Sequence, residues 1–167
     1  ARTLSARADE IVFVGSGTES DNLAIRGAVM AFREKNPGVK AHVVTSTIEH
    51  AGVLEACKAL EREQLAEVSY IGVDEKGFVN LKELKDVLKE TTVLVSIIHA
   101  NNEIGTIQNI SEIAKAIRHF KKYDKGNHAS IYPLLHTDAS QSFQFTDMKM
   151  NSFPVDLLSF NSSKIYG

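Results

Sequence analysis

Short apolar runs alternate along this chain with longer stretches whose apolar residues recur every three or four positions. Residues 10–14, 42–46, 67–73, 92–98 and 155–160 are dense in Val, Ile, Leu and Phe and short. Runs of that length bounded by turn residues read as strands. Thr92-Val93-Leu94-Val95-Ser96-Ile97-Ile98-His99 is the clearest, with no acidic or basic residue before His99. It reads as a strand buried on both faces. Helical spacing appears from Glu19 to Arg33, from Ala51 to Gln64, from Leu81 to Leu88 and from Ile110 to Tyr123. Asn36-Pro37-Gly38 terminates the first helix. Thr18 suits its N-cap, Asn80 with Glu83 has the spacing of a capping box, and Asn109 with Glu112 caps the last helix. Residues 129–135 form a less regular strand start because of Pro133. Strand and helix alternate without a sequence repeat. The expectation is an α/β fold: a mainly parallel sheet with helices on both faces.

Composition narrows the class. The 167 residues suffice for one domain with a sizeable core. Net charge is -2 without a basic cluster, so nucleic-acid binding is not suggested. No apolar run is long enough for a membrane helix, and residues 1–10 lack the apolar centre of a signal peptide. The single cysteine, Cys57, excludes an internal disulfide and shares a helix face with Val53, Leu54 and Leu60, which reads as core. A cytoplasmic location is expected. No Cys/His/Asp set has metal-ligand spacing, so no metal is expected. Lys121 to Asn127 is hydrophilic and has no assignable role. The chain begins in mid-pattern without Met and stops three residues after Lys164, which reads as a piece of a longer protein.

The chemistry-bearing residues follow the strands. Gly15-Ser16-Gly17-Thr18 lies between a strand-like run and a helix start, where backbone N–H groups and the helix dipole favour an anion. His50 stands at a strand-to-helix junction, as a ligand-facing group or a local cap. Asn101-Asn102-Glu103 follows the strand at 92–98, as a polar cluster for a ligand or a turn. Asp138 follows an apolar run. A carboxylate buried there needs a cation or N–H donors; a cationic cofactor ring nitrogen satisfies it, and so does the following turn. Lys164 ends an apolar run followed by Asn161-Ser162-Ser163. Desolvation makes such an amine a nucleophile. In a parallel sheet all these positions share one edge.

Together these segments resemble the cysteine desulfurases, of the class V aminotransferase family and the fold-type I pyridoxal 5′-phosphate enzymes. The matching segments are Gly17-Thr18-Glu19-Ser20-Asp21-Asn22-Leu23-Ala24, Glu49-His50, Leu94-Val95-Ser96-Ile97 with Asn101-Asn102-Glu103-Ile104-Gly105, Asp138-Ala139-Ser140-Gln141-Ser142, and Ser159-Phe160 with Lys164-Ile165-Tyr166-Gly167. The resemblance implies that Lys164 carries the cofactor covalently and moves the substrate's α-proton. It implies that Asp138 keeps the pyridine nitrogen protonated, and that His50 stacks on the ring and assists proton transfer. Gln141 would bond the phenolic oxygen, with Asn102 beside it. Gly17 and Thr18 would hold the phosphate, with Asn161 and Ser163 as further donors. Ser163 stands where the family usually has histidine, and Asn161 where serine is common.

The implied reaction converts L-cysteine to L-alanine and passes sulfur to an acceptor protein, an Fe-S scaffold or a tRNA-thiolation protein. A homodimer is implied, with sites near the subunit interface. Selenocysteine lyase, an aminotransferase of the same family and a non-catalytic remnant are the alternatives. Residues 1–167 would be a partial large domain, without the family's N-terminal segment and C-terminal small domain. The family's sulfur-accepting cysteine and its carboxylate-binding arginine lie after the lysine, so the chain alone is expected to be inactive.

Overall fold

The computed structural model describes residues 1–124 and 131–165. Residues 125–130, at the end of the hydrophilic stretch and the start of the irregular strand, lie outside the described residues, as do Tyr166 and Gly167 of the last motif. The elements in order are α1 (Gly17–Lys35), β1 (Ala41–Ser46), α2 (Ala51–Arg62), β2 (Ala66–Ile71), α3 (Leu81–Val87), β3 (Thr92–Ser96), α4 (Ile110–His119), β4 (Leu134–Asp138) and β5 (Leu157–Ser159). The strands form one sheet, ordered β2-β1-β3-β4-β5, and every pairing is parallel. The expected α/β architecture is therefore present.

Successive strand residues point to opposite faces. Val43 and Leu94 join Ile25, Val29 and Phe32 of α1 and Val53 and Leu60 of α2 in one core. Val44, Val95 and Leu135 join Leu84 of α3 and Ile113 and Ile117 of α4 in the other. Helices cover both faces, which is why β1 and β3 are buried at every position. Each aliphatic side chain taken wholly out of water contributes about 1.5–3 kcal/mol. The crossover from β1 runs over the α1/α2 face and that from β3 over the α3/α4 face, so the loops after β1 and β3 diverge. Such a switch in strand order opens a crevice at the carboxyl edge. Two bonds staple its lips: Asn101 Nδ2 donates to the Ile48 carbonyl (2.8 Å) and Ile98 N–H to Glu49 Oε1 (2.9 Å).

Three expectations fail locally. Residues 10–14 are not a strand: a 3-10 turn covers Ala8–Glu10 and an irregular segment follows. Val12 and Phe13 are 68% and 94% exposed. An apolar run becomes a strand only where a neighbour offers a ladder, and this one has no strand partner among the described residues. Thr18 does not cap α1. Ser16 does, its Oγ accepting from Glu19 N–H at 3.1 Å, and the helix begins one residue before Thr18. Asn80 caps α3 as expected, but Glu83 accepts from Gly72 N–H (2.8 Å) and so ties the helix to the end of β2. The remaining strand and helix ends differ by up to two residues, with two exceptions: the strand expected over 129–135 is β4, Leu134–Asp138, which begins just after Pro133, and α4 stops at His119 where the chain continues as a π turn, Phe120–Asp124.

Candidate active site

All five strands run the same way, so the segments following β1, β3, β4 and β5 emerge at one edge. Thr18, at the start of α1, is brought to that edge by contacts around two glycines. A Cβ on Gly17 would lie 3.4 Å from Asn161 Nδ2 and 3.5 Å from Ser140 Oγ. A Cβ on Gly52 would lie 3.2 Å from both Thr18 Oγ1 and His50 Nδ1. The starts of α1 and α2 and the segments after β4 and β5 therefore converge on one concavity. A side chain at position 17 would point toward Asn161 and Ser140 there.

His50 is the N-cap of α2. Its Nδ1 accepts from Gly52 N–H at 3.0 Å, which leaves Nε2 to carry the proton of the neutral ring. The side chain is exposed. Asp138 ends β4 and is 6% exposed. Its Oδ1 accepts from Ser140 N–H (2.9 Å), and Oδ2 has no hydrogen-bond partner among the described residues. Asn161 Oδ1 accepts from Ser163 N–H (3.0 Å) and starts the 3-10 turn Ser162–Lys164. Ser163 and Lys164 are exposed at its end, as are Gln141 after β4 and Asn102 after β3. The two asparagines of the β3 loop differ. Asn101 is buried and holds the loop, its Oδ1 accepting from Glu103 and Ile104 N–H groups, whereas the Asn102 side chain makes no bond among the described residues. Among the described residues no group of three His, Cys, Asp or Glu side chains is placed to hold a metal ion.

Below the concavity is a buried polar layer that sequence reasoning missed. His136, two residues before Asp138 and on the same face, places Nδ1 at 2.8 Å from Ser96 Oγ and Nε2 at 3.0 Å from Ser159 Oγ. Burial pushes this imidazole down to about 4, so it is neutral at pH 7. Ser159 Oγ also meets Ser20 Oγ of α1 at 2.9 Å. Asp21 and Glu49 are buried beside this layer. The signal for Asp21 lay in its position: 21, 25, 28, 29 and 32 form one helical stripe, and all its other members are apolar. A cavity of about 330 Å³, lined by Arg33, Pro37, Lys40 and Gln64 among others, lies at the far end of α1 and takes no part in this site.

The sequence profile described as Aminotransferase class-V matches residues 1–167. The chain belongs to the class-V aminotransferase family. It is 42% identical over all 167 residues to the cysteine desulfurase IscS of Dictyoglomus turgidum and spans 38% of that protein. It is 40% identical over 167 residues to the IscS of Histophilus somni and spans 37% of it. Among solved structures, SspA in complex with cysteine superposes with a TM-score of 0.83 at 34% identity, covering 99% of this chain and 43% of that one. A NifS-like protein gives 0.82 at 34% identity, over 99% of this chain and 42% of that one. DndA from Streptomyces lividans gives 0.79 at 32% identity, over 99% and 42%. The chain thus spans about two fifths of the length of these relatives. No helix among the described residues is long and apolar enough to cross a membrane.

Proposed function

We propose that this chain is the cofactor-binding part of a cytoplasmic, homodimeric, pyridoxal 5′-phosphate-dependent cysteine desulfurase. The reaction takes L-cysteine to L-alanine and hands the sulfur to an acceptor protein, an Fe-S scaffold or a tRNA-thiolation protein. The observation that carries this reading is the single concavity joining Gly17, Thr18, His50 and Asn161 at the edge where Asp138, Gln141 and Lys164 emerge. The relatives named cysteine desulfurase support it, as does the SspA structure described as a complex with cysteine.

The residues present suit the cofactor. Asp138 has one oxygen committed to Ser140 N–H and one without a partner among the described residues, which is what a protonated pyridine nitrogen needs. The open position at Gly17 leaves the first N–H groups of α1 accessible to a phosphate, with Thr18, Asn161 and Ser163 as side-chain donors. The exposed His50 ring would stack on the cofactor, with its Nδ1 held by the Gly52 N–H. Exposed Gln141 and Asn102 are without a bond among the described residues and would serve as donors for the phenolic oxygen and the substrate. When bound, the cofactor supplies an electron sink for the pair released at the substrate's Cα. Lys164 holds it and moves the proton at that carbon, and His50 assists.

Cys57 takes no part. It is buried in α2 and burial pushes its thiol up to about 12, so no thiolate is available near neutral pH. As it is the single cysteine of the 167 residues, the sulfur-accepting thiol comes from outside them. Exposed Val12 and Phe13 supply apolar surface of the kind a dimer or further segments of the protein would cover.

The test is borohydride reduction of the full-length protein with pyridoxal 5′-phosphate, followed by peptide mapping. The label is expected on Lys164 and is lost in Lys164→Ala, and L-cysteine yields alanine and sulfide under a thiol reductant. A label on another lysine overturns the site. Keto-acid formation points to an aminotransferase, turnover of selenocysteine alone to a lyase, and a labelled but inert protein to a remnant.

A further inference from the structure

Asp21 is 2% exposed and Glu49 is 6% exposed, and each has an orphaned oxygen. Asp21 Oδ1 and Glu49 Oε2 are wholly buried and have no hydrogen-bond partner among the described residues. Among the described residues the nearest basic atom to Asp21 is His136 Nε2 at 3.8 Å, too long for a hydrogen bond. That imidazole already spends both nitrogens on Ser96 and Ser159 and is neutral, so it offers Asp21 no positive charge. Glu49 Oε1 accepts from the Ser46 hydroxyl and from Ile98 N–H, which satisfies one oxygen and leaves the other dry. No lysine or arginine among the described residues is within 4.0 Å of either carboxyl. A buried carboxylate with an orphaned oxygen and no counter-charge is strongly disfavoured, whereas the neutral acid is tolerated.

The third carboxyl is Asp138, and its charge acts on both of the others. Three ionised carboxylates here would place three negative charges in one dry layer. They would also oppose a phosphate at the start of α1, since Asp21 is only four residues past Gly17. Glu49, like Asp138, takes an N–H donor on one oxygen, but its spare oxygen and that of Asp21 are sealed from solvent, whereas Asp138 Oδ2 is not among those wholly buried oxygens. We propose that Asp21 and Glu49 are positioning residues that hold their protons into the neutral range beneath the site, leaving Asp138 as the carboxyl that meets a cation there. The positive end of α1 is then left to the phosphate, and the Asp138 carboxyl faces the ring nitrogen. Burial is the main cause that pushes both acids up, Asp21 to about 7 and Glu49 to about 8, with Asp138 adding to each. The titratable groups facing them are Asp138 and His136 of β4, each other, and Cys57 of α2.

The protonation stands apart from the cofactor reading; what it serves rests on that reading. The test has two arms. In the first, carboxyl carbon resonances of the ¹³C-labelled chain are followed from pH 3 to 10. Two carboxyls should titrate above pH 6, one vanishing in Asp21→Asn and the other in Glu49→Gln, and Asp138→Asn should move both midpoints down. Titration of both in the ordinary acid range overturns the proposal, whatever binds. Should a variant fail to fold, the wild-type titration alone decides. In the second arm, pyridoxal 5′-phosphate affinity is compared between wild type and Asp21→Asn/Glu49→Gln from pH 6.5 to 9. The wild type should weaken about tenfold more over that range, as each lost proton leaves a charge behind. Equal pH dependence in both proteins overturns the positioning role while the cofactor reading stands. Absence of cofactor binding in both overturns the cofactor reading and leaves the protonation to be read from the first arm.

Discussion

Replacing Asn101 with alanine should destabilise the fold, and replacing its neighbour Asn102 should not. The Asn101 side chain makes three hydrogen bonds: Nδ2 to the Ile48 carbonyl at 2.8 Å, and Oδ1 from Glu103 N–H at 2.9 Å and Ile104 N–H at 3.0 Å. The last two donors belong to exposed residues and regain water on mutation, so each is worth about 0.5 kcal/mol. The Ile48 carbonyl is partly buried between two loops, and its loss costs about 1.5 kcal/mol. The total is about 2–3 kcal/mol, a sizeable part of the roughly 5–15 kcal/mol that holds a domain folded. With a urea slope of about 2 kcal/mol/M, the unfolding midpoint should fall by roughly 1 M. Asn102→Ala removes an exposed side chain without a bond among the described residues, and should stay within about 0.5 kcal/mol of wild type. Urea titration of both variants, followed by circular dichroism, checks the difference. Equal midpoints, or a larger loss in Asn102→Ala, would refute the division between a buried stapling amide and a free one.

Leu60→Ala, at a fully buried position of α2, should cost about 2–5 kcal/mol in the same titration. Cys57 should resist alkylation in the native protein and react in urea, because its thiol is buried and pushed up to about 12. Val12→Ser with Phe13→Ser should leave the unfolding midpoint within about 0.5 kcal/mol and lower apolar-dye binding and self-association. Glu49 is raised from 4.5 to about 8 in the fold, so its contribution is fully present below pH 4.5 and is lost as pH rises through 8. The penalty approaches about 5 kcal/mol at full ionisation, and Glu49→Gln should flatten the stability–pH curve between pH 5 and 9.

The sheet was legible because β1 and β3 are covered on both sides, and burial on both faces writes an uninterrupted apolar run into the sequence. The candidate site was legible as polar residues that follow apolar runs, although the run before Thr18 is not a strand. Ser16 and Thr18 are both N-cap residue types, and only the backbone decides between them. Val12 and Phe13 have the composition of a strand, yet strand formation depends on a neighbour that local pattern does not encode. Asp21 and Glu49 escaped for a different reason. Their meaning depends on Asp138, more than eighty residues further along the chain, and on the absence of a cation, neither of which a local window contains.

The packing of α1 has a consequence in time. The helix begins at Gly17, yet it lies against β3, β4 and β5 as well as β1, and Ser20 meets Ser159 across 139 positions of sequence. At synthesis rates of about 5–20 residues per second, those positions take on the order of ten seconds to emerge. Throughout that interval the stripe of Ile25, Val29 and Phe32 has only part of the surface it will finally cover. Closure of so long a loop also slows folding of the finished chain. The first α-helix of these residues to be synthesised is thus among the last to be fully buried, since its partner strand β5 comes nearly at their end.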